Sequence, residues 1–579
     1  MRTVTVTAMD TATAVNRFMG PCKMGTLQKY VTLCNSDESA ELFGYRPESC
    51  KCSTIFTSMR RIGILLLVVS ASSPLRAQTK APSAAQVPSA ELSGPPASTP
   101  SLRIVPLVEL TERHTDNVGQ ATSTPAKNDW ITDAAAGLRI EYRGARANVQ
   151  FDYRVNRLFH DKFTNLDTTQ HLLNSNASLE AVEKWLFLDA SARITQENRS
   201  AFGVSNIAGI TGTSANRVEA TSYQFAPYIR GSIGDVATYL LRVNATETRT
   251  GESAFPASRT YQWTSFVKNQ PSAGRLGWSV NGGLLSIDKS AVDKRKDSRL
   301  AATATFEVDA QLHISLSAGK ESSDFDGLGK HTTNMRGLGF EWSPSERTIM
   351  AAVTQKRFFG NDHLVSIAHR TPLTIWHFSS SKEVAISTDG AATSNPFSVN
   401  NLLLDLLASS IPDRKSRAEE AQRRLEQTGI PVSSGIQSGF LTSRPFLSFQ
   451  QDASAALLGL RNTITITAGR REQRAIDSNV VTLGGALPIE QYNQFNANIA
   501  WAYRLTPLST LNWVLSRAHT DGVFADNRST TQRFVSLFFV TRLGQYTSLS
   551  IGSQRVLIDS NVTDSRHENA FASTLSVRF

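Results

Sequence analysis

Cysteine is scarce in this 579-residue sequence, and all four copies lie near its start. They are Cys22, Cys34, Cys50 and Cys52. No second pair at metal-ligand spacing accompanies them, so the sequence does not favour a zinc site. The long cysteine-free remainder suits an oxidising compartment that the chain reaches unfolded.

Blocks of like charge are also missing. The chain has 60 Lys and Arg against 50 Asp and Glu, a formal net charge of +10, and no run of five or more like charges. Nucleic-acid binding proteins concentrate basic residues in such clusters. We therefore expect no nucleic-acid partner.

Long apolar runs are missing too, apart from one short stretch after Met59. Ile62 to Val69 is apolar except for Gly63, which is too short for a spanning helix of ~20 residues. Arg60 and Arg61 precede it, and Ala77-Gln78 follows as a small-residue cleavage site. The pattern predicts a secretory signal peptide over 59–77, cleaved between Ala77 and Gln78.

The signal peptide sets the expected domain boundaries. It lies behind 58 residues of mixed polarity, so we predict that Met59 is the true start and that 1–58 is a mis-assigned extension. Residues 78–101 are rich in Pro, Ala and Ser and predict a flexible linker. The folded domain is then expected over 102–579. The sequence of this domain contains no apolar helix, which disfavours an inner-membrane location.

From Leu102 onward, short segments alternate between apolar and polar residues. Between Ala147 and Asn156, for example, odd positions are apolar or aromatic and even positions are polar. A period of two is typical of strands with one dry and one wet face. Such segments recur almost to the end of the chain, and we predict about 20 antiparallel strands, within a range of 16 to 22.

The connections between these segments differ in length. Those at 343–346 and 506–507 are tight, whereas those at 157–170, 196–217 and 321–334 are long and polar. Short turns at one end and long loops at the other are typical of outer-membrane barrels. The fold predicted is an all-β, single large antiparallel transmembrane β-barrel in the outer membrane of a Gram-negative bacterium, in contact with its lipid.

Two soluble all-β folds fit less well. A β-sandwich would divide into domains of ~100 residues, and a propeller would repeat every ~40–45 residues. Neither a boundary nor a repeat is visible after residue 101. One insert, 395–431, breaks the rhythm, because its run RKSRAEEAQRRLEQ predicts a short helix near 400–430. This helix is either a solvated loop element or a plug at one mouth of the barrel.

The last strand carries a further signal. Phe571, Leu575, Val577 and Phe579 form its apolar face, and the sequence ends on that phenylalanine. This pattern resembles the C-terminal recognition strand of bacterial outer-membrane proteins. The resemblance implies that the barrel-assembly machinery is a partner.

Five stretches, in this order, resemble one family. They are PLVELTERHTDNV (106–118), DAAAGLRIEYRGARANVQFDYRV (133–155), GLGFEWSPSERT (337–348), KRFFGNDHLVSIAHRT (356–371) and GLRNTITITAGRRE (459–472). Together they are similar to the exosortase/PEP-CTERM system-associated outer-membrane β-barrel proteins, which are linked to exopolysaccharide. The resemblance implies polysaccharide or export components as partners and supplies no catalytic residues.

Motifs that carry chemistry are not found. There is no GxSxG, HExxH or P-loop, and no catalytic, cofactor-binding or metal-binding residue is predicted. The segment 324–327 begins like a calcium loop but lacks later ligands, and a polar turn is preferred. His363 and His369 could share a face of one strand, and we interpret them as ordinary lumen or loop residues.

Three functions remain open at this point. The first is a non-enzymatic barrel that supports export or surface assembly of exopolysaccharide. The second is a structural or adhesive surface scaffold, and the third is a barrel-borne hydrolase. The polar wet faces favour the first, and the missing catalytic motifs disfavour the third.

Overall fold

The computed structural model describes most of the chain after residue 99. The described residues are 100–118, 127–205, 207, 214, 216–251, 257–269, 274–288, 294–327, 329–386, 404, 407, 417, 420, 440, 445–476, 491–523, 527–562 and 564–579. The chain divides into two units, 1–79 and 80–579, and every described residue belongs to the second. The proposed extension, the signal peptide with Ala77 and Gln78, and nearly all of the linker lie outside the described residues.

Twenty-two strands form one antiparallel sheet, at the upper limit of the predicted number. They are β1 (Ser101–Thr115), β2 (Asp129–Arg143), β3 (Ala147–His160), β4 (Thr168–Val182), β5 (Leu186–Asn198), β6 (Arg217–Ile233), β7 (Ala237–Thr250), β8 (Ser258–Asn269), β9 (Leu276–Asp288), β10 (Lys294–Glu307), β11 (Leu312–Ser323), β12 (His331–Ser345), β13 (Thr348–Arg357), β14 (Gly360–Arg370), β15 (Thr374–Ile386), β16 (Pro445–Leu458), β17 (Asn462–Ala475), β18 (Gln491–Arg504), β19 (Ser509–Gly522), β20 (Ser529–Arg542), β21 (Thr547–Ser560) and β22 (Arg566–Arg578). A 3-10 turn spans Thr164–Leu166. The predicted all-β fold class is confirmed.

The first and last strands close the sheet into a barrel. Strand β1 pairs with β2 on one side and with β22 on the other, where Leu110 lies opposite Leu575. The hydroxyl groups of Thr111 and Thr574 form a hydrogen bond across this seam, with 2.9 Å between their oxygens. Closure leaves no edge with unpaired backbone groups, which is what a sheet in hydrocarbon requires.

The two rims of the barrel differ in the length of their connections. The short-turn rim carries 144–146, 183–185, 234–236, 270–275, 308–311, 346–347, 371–373, 459–461, 505–508 and 543–546. The long-loop rim carries 116–128, 161–167, 199–216, 251–257, 289–293, 324–330, 358–359, 387–444, 476–490, 523–528 and 561–565. Because outer-membrane barrels place short turns in the periplasm, the long-loop rim faces the outside of the cell.

Side chains sort by parity between the two faces of the wall. On β3, Phe151 and Tyr153 point outward, opposite Ile140 and Leu138 of β2, and the intervening Asp152 points into the lumen, where it pairs with an arginine. Large apolar side chains stay exposed outside, as for Leu316, which is 62% exposed. The outer face therefore meets lipid and the inner face encloses the lumen. The protein is a transmembrane β-barrel of the Gram-negative outer membrane.

Aromatic residues mark the two edges of the lipid-facing band. Near the short-turn rim the exposed ones include Trp278, Trp342, Trp376 and Tyr546, and nearer the long-loop rim they include Trp130, Phe159, Phe495 and Phe571. Such girdles lie at the two membrane interfaces of outer-membrane barrels. They show how the barrel is placed across the bilayer.

The insert at 395–431 lies almost wholly outside the described residues. Within this insert, Leu404, Leu407, Arg417 and Glu420 are described, and each has helical backbone. No helix in the described part of the chain is both long enough and apolar enough to cross a membrane. The helical insert as a whole stays a prediction.

Candidate functional site: the lumen wall and its strap

The inner wall of the barrel is lined by paired charges. Arg154 Nη2 donates to Glu109 Oε1 at 2.9 Å, which links β3 to β1. Arg242 Nη2 lies 2.9 Å from Asp189 Oδ2, which links β7 to β5. Most of these charged groups are well shielded, and a carboxylate beside a guanidinium compensates part of that desolvation. The wall is thus polar, and these pairs neutralise part of its charge.

Among the described residues, the most buried ion pair joins Glu321 of β11 to Arg357 of β13. Arg357 Nε donates to Glu321 Oε1 at 2.9 Å, and the Phe358 backbone N–H donates to Glu321 Oε2 at 3.1 Å. Asp362 of β14 lies 3.4 Å from Arg357 Nη1. Glu321 is fully buried. Its contacts with Arg357, together with those of Asp362, link β11, β13 and β14 near the long-loop rim.

An aromatic cluster covers the inner wall near the short-turn rim. Phe187 is the one large apolar residue among the polar positions of β5, and the structure explains it. Its ring stacks on that of Tyr228 with centroids 4.9 Å apart, and the Arg230 guanidinium lies 4.3 Å from the Phe187 centroid. Arg242 lies 5.1 Å from the Tyr228 centroid, so two cations cover a pair of stacked rings.

The connection between β5 and β6 folds into the barrel at its described residues 199–205 and 207. We call these residues the strap. The backbone N–H of Ser205 donates to Gln532 Oε1 at 2.9 Å, and Gln532 Nε2 donates to the Ser205 carbonyl at 3.1 Å. Thr530 Oγ1 donates to the Phe202 carbonyl at 3.0 Å. Thr530 and Gln532 point inward from β20. Because β20 is seven strands from β5 around the wall, the strap reaches across the lumen from β5 to β20.

Apolar packing holds the strap against this wall. Val204 and Ile207 form one buried cluster with inward-facing residues of β18 to β21. These are Ala500, Val514, Ala518, Phe534, Val556 and Ile558. A second cluster joins Ala201 and Phe202 of the strap to Phe440, Phe446 and Tyr492. The strap therefore fills the interior in front of β18 to β21.

A second loop covers the inner wall on the other side of the closure seam. Phe163 and Leu166, in the connection 161–167, pack on Ile131 and Leu158, which point inward from β2 and β3. Leu158 has no exposed surface. Two inward-folded loops therefore cover parts of the inner wall, one on each side of the closure seam.

Sequence reasoning missed the strap, although the alternation contains a signal for it. On most strands the inward positions are polar. On β18 to β21, Ala500, Val514, Phe534, Val556 and Ile558 occupy inward positions and are buried. Apolar residues on both faces of successive strands indicate that something covers the lumen side.

The structure also places the residues singled out from the sequence. Phe571, Leu575 and Val577 lie on the outward face of β22, and the Phe579 N–H donates to the Pro106 carbonyl at 3.1 Å. Their proposed role in assembly stays a prediction. No cluster of His, Cys, Asp or Glu within the described ranges is arranged to hold a metal ion.

The two histidines share a face, but not the one expected. His363 lies opposite Thr354 and Lys382, and His369 lies opposite Thr348 and Trp376. This places both histidines on the outer wall, with exposed Trp376. Our interpretation of them as lumen or loop residues was wrong. On β14, polar residues also occupy positions that face outward, and both histidines are among them.

A groove of about 560 Å³ lies on the outer wall across β4 to β8. Small residues, including Ala177, Ala190 and Ala192, form its floor, and Tyr223 and Tyr261 are among its lining residues. Since these side chains point away from the lumen, the groove faces lipid and is not part of the passage.

No protein-family model and no curated protein matches the chain. Solved structures resemble it at low identity. The siderophore receptor PirA from Pseudomonas aeruginosa is 9% identical, with 83% of this chain and 81% of that chain covered and a TM-score of 0.39. The FrpB iron transporter (F5-1 variant) from Neisseria meningitidis is 10% identical, with 82% of both chains covered and a TM-score of 0.42. A loop-deletion mutant of OmpT, an outer membrane protein of Vibrio cholerae, is 7% identical, with 83% and 99% covered and a TM-score of 0.30. Scores this low carry no argument about ligands.

Proposed function

We propose that the protein is a non-enzymatic barrel that supports export or surface assembly of exopolysaccharide in an exosortase/PEP-CTERM-type system. The observation that carries the proposal is the polar inner wall of a closed 22-stranded barrel. The order of family-like stretches from 106 to 472 supports the choice of polymer.

The chemistry of the wall fits a neutral or weakly charged polysaccharide. Amide and hydroxyl side chains donate to and accept from sugar hydroxyl groups. Inward positions of this type occur throughout the wall, for example Asn148, Gln150, Asn174, Asn176, Ser279, Asn281, Asn496 and Asn498. Some of the charged residues of the wall are paired with each other, as Arg154 is with Glu109 and Arg242 with Asp189. A passing chain meets weak and exchangeable hydrogen bonds along the uncharged positions.

The proposal is tested by separating export from attachment. We expect an in-frame deletion of the gene to reduce extracellular polymer and to leave polymer in the periplasm, with recovery when the full chain is restored. Normal extracellular polymer that sheds from the cell surface would instead support a surface scaffold. Degraded polymer that depends on the purified protein would support a hydrolase.

A second test addresses the lumen directly. The full chain, refolded in planar bilayers, is expected to conduct ions, and neutral dextran fractions of increasing size should reduce that current up to a size limit. A barrel without conductance, and without sugar uptake in liposome swelling, would contradict passage through the lumen.

A further inference from the structure

Five basic residues lie at one level on the outer wall of β11 to β15. They are Lys320, Arg336, Lys356, His363 and Lys382, and we call them the basic stripe. Each lies seven to nine positions from the end of its strand at the short-turn rim. All five occupy outward positions, and Lys320, Arg336 and Lys356 are exposed.

The strand register makes the stripe continuous. Arg336 lies directly opposite Lys356, and His363 directly opposite Lys382. The remaining steps are diagonal, since Lys320 lies opposite Asn334, and Lys356 lies opposite Asn361. Opposite residues have Cβ atoms ~5 Å apart and diagonal ones ~7 Å apart, so neighbours in the stripe can share one ligand.

The height of the stripe places it at the outer edge of the lipid. Eight residues of a strand tilted by ~40° rise about 20 Å from the short-turn rim. Phe495 and Phe571 of the outer aromatic girdle lie nine and seven positions from the short-turn ends of β18 and β22, at the same level as the stripe. Below the stripe the outward residues are apolar and exposed, as for Leu316, Leu338 and Phe340. The stripe thus lies where hydrocarbon gives way to the headgroups of the outer leaflet.

The described strands around these cations carry no counter-charge on the outer wall. On the outward positions of β10 to β16 that the structure describes, there is no Asp or Glu. Lys320, Arg336 and Lys356 make no ion pair with any described residue. Two cations placed directly opposite each other, such as Arg336 and Lys356, repel and cost stability unless an anion lies between them.

Two outer-wall cations on β7 and β8, nearer the long-loop rim, are neutralised by the protein itself. On β7 and β8, Glu247 lies 2.8 Å from Arg249 and 3.3 Å from Arg259. The hydrogen bond from Arg249 lowers the free energy of the charged Glu247 carboxylate. No such carboxylate lies on the described outer wall around the stripe, so the counter-ion of the stripe comes from outside the chain.

We propose that the basic stripe binds the phosphate groups of the outer-leaflet glycolipid, lipopolysaccharide. Arginine and lysine donate several charge-assisted hydrogen bonds to phosphate oxygens, and the acyl chains of the same lipid cover the apolar wall below. One lipid, anchored at both its phosphates and its acyl chains, satisfies the unpaired cations and the exposed Leu316 and Leu338.

Native mass spectrometry of the full chain in detergent tests this with three probes. The probes are diphosphorylated lipid A, dephosphorylated lipid A and inorganic phosphate. We expect the wild type to bind the diphosphorylated lipid roughly tenfold more tightly than the dephosphorylated one, as expected from three surface ion pairs. Inorganic phosphate should compete only weakly, because it lacks the acyl chains.

The triple variant Lys320→Gln/Arg336→Gln/Lys356→Gln should lose this preference. The matched control, Arg249→Gln/Arg259→Gln, removes two outer-wall cations that already have a carboxylate partner and should keep it. Single Arg336→Gln and Lys356→Gln variants give intermediate values if the triple variant does not fold. Equal binding of both lipids by the wild type, or an unchanged preference in the triple and single variants, would overturn the proposal.

Discussion

Ser205 and Gln532 lie 327 residues apart in the sequence, yet they exchange two hydrogen bonds inside the barrel. The Gln532 side chain is 2% exposed, and its amide satisfies both the N–H and the carbonyl of Ser205. A loop pinned in this way cannot swing freely out of the lumen. The two hydrogen bonds hold the strap inside the lumen against β20.

Replacing Gln532 with alanine should release the strap. The variant loses two hydrogen bonds, each contributing about 1 kcal/mol, while the apolar contacts of Val204 and Ile207 remain. We expect a higher single-channel conductance and larger fluctuations in current. Gln554→Ala is the matched control, since Gln554 is also a buried inward glutamine, on neighbouring β21. Identical conductance in both variants would mean that the strap does not limit passage.

The strands could be predicted from the sequence, whereas the strap could not. Alternation over 147–156 is enough to place Phe151 outside and Asp152 inside, because a strand has only two faces. The docking of Ser205 on Gln532 depends on the position of β20 in the closed barrel, which no local pattern contains. Apolar inward residues such as Phe534 indicate only that some segment covers them.

Removing the carboxylate of Glu321 should destabilise the barrel strongly. In Glu321→Ala, the buried Arg357 keeps only Asp362, at 3.4 Å, as an acidic partner. Breaking a buried ion pair costs roughly 3–5 kcal/mol, and we expect a value near the lower end because Asp362 remains. Urea unfolding in detergent micelles measures the change in the free energy of unfolding.

An exposed ion pair provides the comparison for this variant. Arg146 and Glu183 lie 3.0 Å apart near the short-turn rim, and both side chains are more than half exposed. Glu183→Ala should therefore cost less than about 1 kcal/mol. Equal losses in Glu183→Ala and Glu321→Ala would show that burial does not strengthen the pair between Glu321 and Arg357.

The loop 161–167 should loosen in acid. The His160 backbone N–H donates to Asp167 Oδ1 at 2.8 Å and lowers the pKa of the Asp167 carboxyl below its usual range. A lowered pKa in the docked state means that ionised Asp167 stabilises docking above the pKa of the free carboxyl. This stabilisation is lost as the pH falls through the lowered value.

Hydrogen exchange of the amides in 161–167, corrected for the intrinsic effect of pH on exchange, measures this loosening. The wild type should lose protection as the pH falls below about 4. Asp167→Asn keeps an oxygen acceptor without a titrating carboxyl and should show a flat profile. If both proteins lose protection over the same range of pH, another group controls the loop.

Parity also explains where sequence interpretation fails within single strands. Phe187 is apolar at an inward position because Tyr228 stacks on it and Arg230 covers it. His363 is polar at an outward position, where its Nε2 lies 3.1 Å from Ser380 Oγ at the outer edge of the lipid. Both exceptions follow from neighbours on adjacent strands, which the sequence of one strand does not reveal.

The apolar face of β22 provides the last prediction, that it guides assembly. The Phe579 side chain is 65% exposed at the short-turn rim, so its removal opens no cavity in the folded barrel. Phe579→Ala should leave the unfolding free energy within about 0.5 kcal/mol of the wild type, the usual range for surface substitutions.

If the terminal aromatic residue is recognised during insertion, the same variant lowers the amount of heat-modifiable barrel in the outer membrane severalfold. Leu543→Ala is the control, because Leu543 is similarly exposed at the same rim, in the turn between β20 and β21. Equal amounts of assembled barrel for the two variants would refute recognition of Phe579.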